Sequence, residues 1–137
     1  MRTMSRAAAV AALTLTLSAP ALGAAHASGK NWKSLVTFDK GHVQACKVET
    51  TDTGPWKVKL RVNSRQATAR LRASAAAIVN DTATGSEWAS GWVAKGDVSG
   101  TGTVKLPRGK TATLSIGLAE KNAGTGGSFH AGDIPHC

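Results

Sequence analysis

Apolar and polar residues alternate with a period of two through most of the chain beyond residue 33, and Gly, Asp, Asn and Pro interrupt the alternation at short intervals. That pattern predicts short strands with one dry and one wet face. SLVTF (34–38) and HVQACKV (42–48) flank Asp39-Lys40-Gly41, a natural turn, and ETTDTGP follows as a polar breaker. WKVKLRV then alternates cleanly: Val58, Leu60 and Val62 fall on one side, Lys57, Lys59 and Arg61 on the other. The run Ala67–Val79 is rich in Ala, the best helix former, and Leu71, Ala75, Ile78 and Val79 also fit one helical stripe. Its odd positions are apolar throughout, while the even ones begin Thr68, Arg70, Arg72, Ser74, which predicts a strand instead. NDTATGS breaks that run, and EWASGWVAK, TVKL and TATLSIGLA read as further strands, separated by turns at Gly96-Asp97 and Pro107–Lys110. EKNAGTGGSFHAGDIPHC reads as a glycine-rich loop with a short end segment.

About seven to nine short strands at this spacing predict an all-β antiparallel sandwich of the immunoglobulin-like kind, with a small β-barrel as the alternative. The turn pairs between strands favour hairpins over crossovers. The hairpin of most interest joins WKVKLRV to the next strand through Asn63–Gln66. With Asn63 opposite Gln66, the apolar residues Val58, Leu60, Val62, Ala69 and Leu71 share one face. Lys57, Lys59, Arg61, Arg70 and Arg72 then share the other.

The N-terminal segment changes the setting. Residues 1–27 have a basic start (Arg2, Arg6), an apolar run from Ala7 to Leu17 and an Ala25-His26-Ala27 ending, the layout of a secretory signal peptide. The expected mature domain is 28–137, a single secreted, extracellular unit with no second apolar stretch of membrane-spanning length. Two of the 17 Lys and Arg lie in the signal and all eight acids lie beyond it, so the domain carries 15 minus 8, or +7. A basic exported domain is suited to anionic partners. Its two cysteines, Cys46 and Cys137, predict one intramolecular disulfide in an oxidising compartment.

Chemistry-bearing motifs are sparse. GDVSG (96–100) has the outline of a serine-protease nucleophile segment but carries an extra Val98, and the domain is too short for a two-barrel protease. GTGT and GTGG lack the spacing of a phosphate loop. His42, His130 and His136 form no His-x-x-x-His pair, which leaves the tail group His130, Asp133 and His136 as a weak metal candidate, and no carboxylates are paired as glycoside hydrolysis requires. The expectation is a non-catalytic binding module that needs no cofactor or metal. Its leading partner is an anionic polymer, such as a cell-wall polymer, on the basic hairpin face. That face has no aromatic residue for stacking bases, which argues against sequence-specific nucleic acid. A second reading uses Trp88 and Trp92, placed on one face of one strand by parity, as a sugar platform. A third makes EKNAGTGGS an inhibitor loop for a protein partner. Trp32 and Trp56 read as plugs at strand ends.

The Ala-rich leader, WKVKLRV, GTVKLPRGKTATLSIGL read as a hairpin, and the terminal Cys together resemble small, uncharacterised secreted β-proteins of high-GC Gram-positive bacteria. That resemblance implies export and a β-fold and no particular activity. The layout is also loosely similar to cellulose- and chitin-binding sandwich modules. It departs from them in its strong positive charge, its lack of Tyr and the position of Cys46 well inside the domain.

Overall fold

A computed structural model describes residues 31–137; the expected signal segment, 1–27, lies outside the described residues. Eight strands form two antiparallel sheets: β1 (Lys33–Phe38), β2 (Gly41–Glu49), β3 (Trp56–Asn63), β4 (Leu71–Val79), β5 (Thr82–Val93), β6 (Gly102–Leu106), β7 (Ala112–Ala119) and β8 (Gly124–Phe129). Sheet one runs β1-β2-β3-β6 and sheet two β5-β4-β7-β8, so the fold is a sandwich and not a closed barrel. The sheets interlock because β3 pairs with β6 and β4 with β7, skipping over sequence neighbours in the Greek-key manner of immunoglobulin-like sandwiches.

The dry faces are those the alternation marks. Val43, Ala45, Val58, Leu60, Val62 and Val104 from sheet one meet Leu71, Ala73, Ala75, Leu114, Ile116 and Leu118 from sheet two, all buried. The run from residue 71 is a strand, not a helix. Alanine keeps the two sheets close along β4, and the larger residues of β3 and β7 fill the space opposite. Two connections are tight two-residue turns with positive φ at both residues, Asp39-Lys40 and Asn80-Asp81, the geometry that matches the twist of paired strands.

Three expected hairpins do not form. β3 and β4 lie in different sheets, as do β5 and β6, and β6 and β7. The β3–β4 corner shows why. The Ala67 N–H donates to the Ser64 carbonyl, which closes a local turn, and the Thr68 and Ala69 N–H groups donate to the Asp39 carboxylate. Those donors are thereby unavailable for pairing with β3, and the chain crosses to the other sheet. The glycine-rich tail is likewise more ordered than a loop: Gly124–Phe129 is β8, paired with β7 along its length. NDTATGS is mostly strand as well, since β5 begins at Thr82, directly after the Asn80-Asp81 turn.

The end of the chain is fastened to β2. Cys46 and Cys137 form the expected disulfide. Beside it the Lys47 N–H donates to the Pro135 carbonyl, and the Cys137 N–H to the Lys47 carbonyl. Trp56 plugs this end of the core at 9% exposure. The Lys47 ammonium and the Arg108 guanidinium lie 4.6 and 4.1 Å from its ring centroid, and His136 meets it edge-on.

Candidate ligand-binding faces

Separation of β3 from β4 divides the five basic residues of the expected hairpin between opposite sides of the molecule. Lys57, Lys59 and Arg61 stay together on the outer face of sheet one. Arg70 and Arg72 are on the side of sheet two. No single face holds all five.

On sheet one, the β3 positions alternate buried and outward as the sequence dictates. The outward residues next to Lys57, Lys59 and Arg61 are Val48, Cys46 and Gln44 on β2, and Lys105 and Thr103 on β6. None is a carboxylate. Lys57 and Lys105 are direct partners in the β3–β6 register, so two ammonium-bearing chains are held side by side, a pairing that destabilises a sheet. Arg61 donates from Nε to Gln44 Oε1 at 2.9 Å and lies 4.4 Å over the ring of Trp32, so the basic face, expected to have no aromatic residue, has one beside Arg61. Burial pushes its guanidinium below the ordinary arginine value, and the charge of nearby Arg65 adds to the effect. Beyond Arg61 the face ends in a polar hollow of about 240 Å³, whose lining includes Lys40, His42, Asn63, Arg65 and Gln66. Lys40, Arg65 and Lys105 thus join the face, although sequence reading did not include them. Lys105 required knowing that β6 flanks β3. The ion pair between Arg108 and Glu49, at 3.3 Å, lies at the sandwich end near Trp56; among the described residues no ion pair forms at Lys57, Lys59, Arg61, Arg65 or Lys105, while the Lys40 charge acts on the neighbouring Asp39 carboxylate.

On sheet two, Trp88 and Trp92 do not share a face. Trp88 pairs with buried Ala75, and Trp92 pairs with exposed Arg72. Between them two residues of β5, Ser90 and Gly91, oppose the single residue Ala73, a β-bulge in which Gly91 takes φ +66° and Ser90 Oγ accepts from the Ala73 N–H. The extra residue reverses the parity of the strand. Trp88 consequently packs inward against the core, over Gly102 of β6. Trp92 turns outward and is 41% exposed. The two-ring sugar platform is therefore absent. Arg70 and Arg72 both lodge against Trp92, at 5.0 and 4.9 Å from its ring centroid. Beside this group an open groove of about 600 Å³ runs over small residues, including Ser74, Ala89, Gly117, Ala119 and Gly124.

EKNAGTGGS, expected as a projecting loop, is the β7–β8 turn together with most of β8, and the Glu120 N–H closes the turn onto the Ala123 carbonyl. Among the described residues no group of three or more His, Cys, Asp or Glu side chains comes together in a metal-holding arrangement, and Asp133 accepts from the His130 backbone N–H instead. No helix among the described residues is long and apolar enough to cross a membrane. Comparison with known proteins gives no match, whether to a protein family, a curated protein or a solved structure.

Proposed function

We propose that this is an exported, non-catalytic module that binds an anionic extracellular polymer along the outer face of sheet one. The observation that carries the reading is the run of five cations, Lys57, Lys105, Lys59, Arg61 and Arg65, with Lys40 beside Asp39 at its end, on a face whose strands point no carboxylate outward next to them. β3 fixes the spacing: outward residues recur about every 6.6 Å along a strand, so Lys57 to Arg61 spans about 13 Å. A row of that kind suits repeated phosphate, sulfate or carboxylate groups on an extended chain and carries no base-specific readout. Holding Lys57 against Lys105 weakens the isolated sheet, and a polyanion laid across them removes that repulsion. The lone lysine that guards an edge strand against aggregation accounts for Lys105 but not for its juxtaposition with Lys57.

The test is elution from immobilised heparin and from immobilised teichoic acid in a salt gradient. Wild type is expected to elute well above the Lys57→Gln/Lys105→Gln variant. A charge-matched Lys95→Gln/Lys121→Gln variant is expected to stay near wild type. Equal losses from the two pairs would mean that net charge alone governs retention, and the reading would fail. For duplex-like charge density each phosphate contact removed lowers the slope of log K against log salt by about 0.9. Export is checked separately: mass spectrometry of the protein from culture medium should find an N-terminus at Ser28.

A further inference from the structure

We propose a second and independent site on the opposite side of the sandwich: the groove beside Trp92 takes an acidic sugar, a pyranose ring that carries a carboxylate. Three features converge there. The first is the bulge. It costs β5 a regular ladder at Ser90-Gly91, and it brings Trp92 out beside Arg72 while Trp88 stays in and Val93 turns into the core. Bulges commonly re-aim a side chain next to a binding site. The second is the state of the two arginines. Among the described residues neither guanidinium donates a hydrogen bond to the protein or lies within ion-pair distance of a carboxylate. Stacking on an indole uses the face of a guanidinium and leaves its in-plane N–H fork for a planar anion, which a carboxylate accepts in bidentate fashion. The third is the floor. Ser74 of β4, Ala89 of β5 and Gly117 of β7 lie in register on the outward face, with Ala119 opposite Gly124 next to them. None of these raises a bulky side chain into the groove, so a ring can settle between the indole and β8. The volume, about 600 Å³, falls within the usual range of small-ligand sites, roughly 300–1,000 Å³.

Charge complementarity selects the occupant. A neutral sugar would use the indole and the floor but leave two unpaired guanidiniums at the rim. An inorganic anion would use the guanidiniums but leave the groove empty. A carboxylated pyranose satisfies both, its C–H edges against the electron-rich indole and its carboxylate on Arg72, with Arg70 adjoining. The site shares no residue with the basic face of sheet one, so either proposal can fail alone.

Isotope-labelled protein titrated with tri-galacturonate should show saturable amide shifts at Ala89, Gly117, Gly124 and Thr125. Tri-galactose should bind about tenfold or more weakly, the loss expected when a charge-assisted bond is removed. Arg72→Gln should lose about as much for the acidic sugar and nothing for the neutral one. Gly117→Leu should block both, since a Cβ at that position meets only Ser74 Oγ, at an ordinary 3.5 Å, and the remaining side chain enters the groove. Lys59→Gln/Lys105→Gln, which removes the same charge from the opposite face, should bind like wild type. Equal affinity for the two sugars overturns the proposal. So does the absence of saturation below about 10 mM, a weaker interaction than any specific site here would give. Shifts confined to sheet one overturn it too. If a variant fails to fold, the wild-type shift map decides.

Discussion

Replacing Lys105 by glutamate should make the domain more stable and a poorer binder at once. In the β3–β6 ladder Lys105 stands directly opposite Lys57 on the outward face, with no carboxylate next to the pair. Like charges opposed across an antiparallel ladder cost a few tenths of a kcal/mol to about 1 kcal/mol, and opposite charges contribute about 0.2–1. The full swing from Lys–Lys to Lys–Glu is therefore about 0.5–2 kcal/mol. Both side chains are exposed, and solvent screening keeps the expected value near the lower end, about 0.5–1 kcal/mol. For a domain of this size that raises Tm by about 2–6 °C. Urea unfolding followed by circular dichroism at low salt and at 1 M salt is the assay. The gain should be present at low salt and nearly gone at 1 M, where the screening length is about 3 Å. Lys105→Gln should deliver roughly half of it. Retention on immobilised polyanion should fall in the same order, wild type above glutamine above glutamate. A Lys105→Glu protein that is no more stable at low salt, or whose gain survives 1 M salt, would refute the view that the pair is an unrelieved repulsion.

Three further outcomes follow from the packing. A Cβ on Gly102 would come within 2.0 Å of the Trp88 indole, so Gly102→Ala should destabilise by about 1–3 kcal/mol in urea melts, while Gly117→Ala, with only an ordinary contact, should not. Trp88→Phe should recover part of the Gly102→Ala loss in a double-mutant cycle, and strict additivity would argue against the clash. Breaking the disulfide by Cys46→Ala/Cys137→Ala opens a link across 91 residues and should cost about 4–5 kcal/mol on chain-entropy grounds, read as a drop in urea midpoint; a loss below about 1 kcal/mol would show that the backbone bonds at Lys47 hold the tail unaided. The Asp39 carboxyl is held below its ordinary value of 3.8, chiefly by the Thr68 hydroxyl; desolvation, the next largest effect, opposes it, and the Thr68 and Ala69 N–H groups and the Lys40 charge add to the lowering. A depressed carboxyl contributes stability above its unfolded pKa and loses it as pH falls through the folded one. Asp39→Asn should therefore flatten the stability profile below about pH 4, and a carboxyl titration midpoint at or above 3.8 in wild type would contradict this.

Alternation made the dry faces of the strands legible, and even the Ala-rich β4 resolved correctly, because an odd-position apolar set running through Val79 suits a half-buried strand. It did not show which strands lie side by side. Val58, Leu60 and Val62 do meet Leu71 and Ala73, as the expected hairpin required, but face to face across the core and not along a shared ladder. Parity is the same in both arrangements. What separates them is the corner after Asn63, where Asp39, from a turn some 30 residues earlier, takes up the N–H groups of Thr68 and Ala69. β8 escaped notice for another reason. Its glycines have poor strand propensity, yet the close approach to β7 demands them: a Cβ at Gly126 would fall 2.6 Å from the Ile116 carbonyl oxygen. The two cationic faces were visible as residues and not as places, since Lys105 joins Lys57 only through a Greek-key pairing between distant segments.

The bulge in β5 has a consequence for how such a site arises and disappears. Trp88 and Trp92 are four apart, so an unbroken strand would point both rings the same way, and the extra residue at Ser90-Gly91 alone sets them on opposite sides. Losing one codon there, with both tryptophans intact, leaves them three apart, and a regular strand then keeps them on opposite sides with Trp92 still opposite Arg72. Straightening the strand at unchanged length, which slips one flank of β5 by a residue, is what would reunite the rings and remove the wall of the groove. The bulge therefore absorbs a one-residue insertion without moving Trp92, and the pairing of Trp92 with Arg72, at an interval of four with the bulge or three without it, is the character that would track the groove through descent.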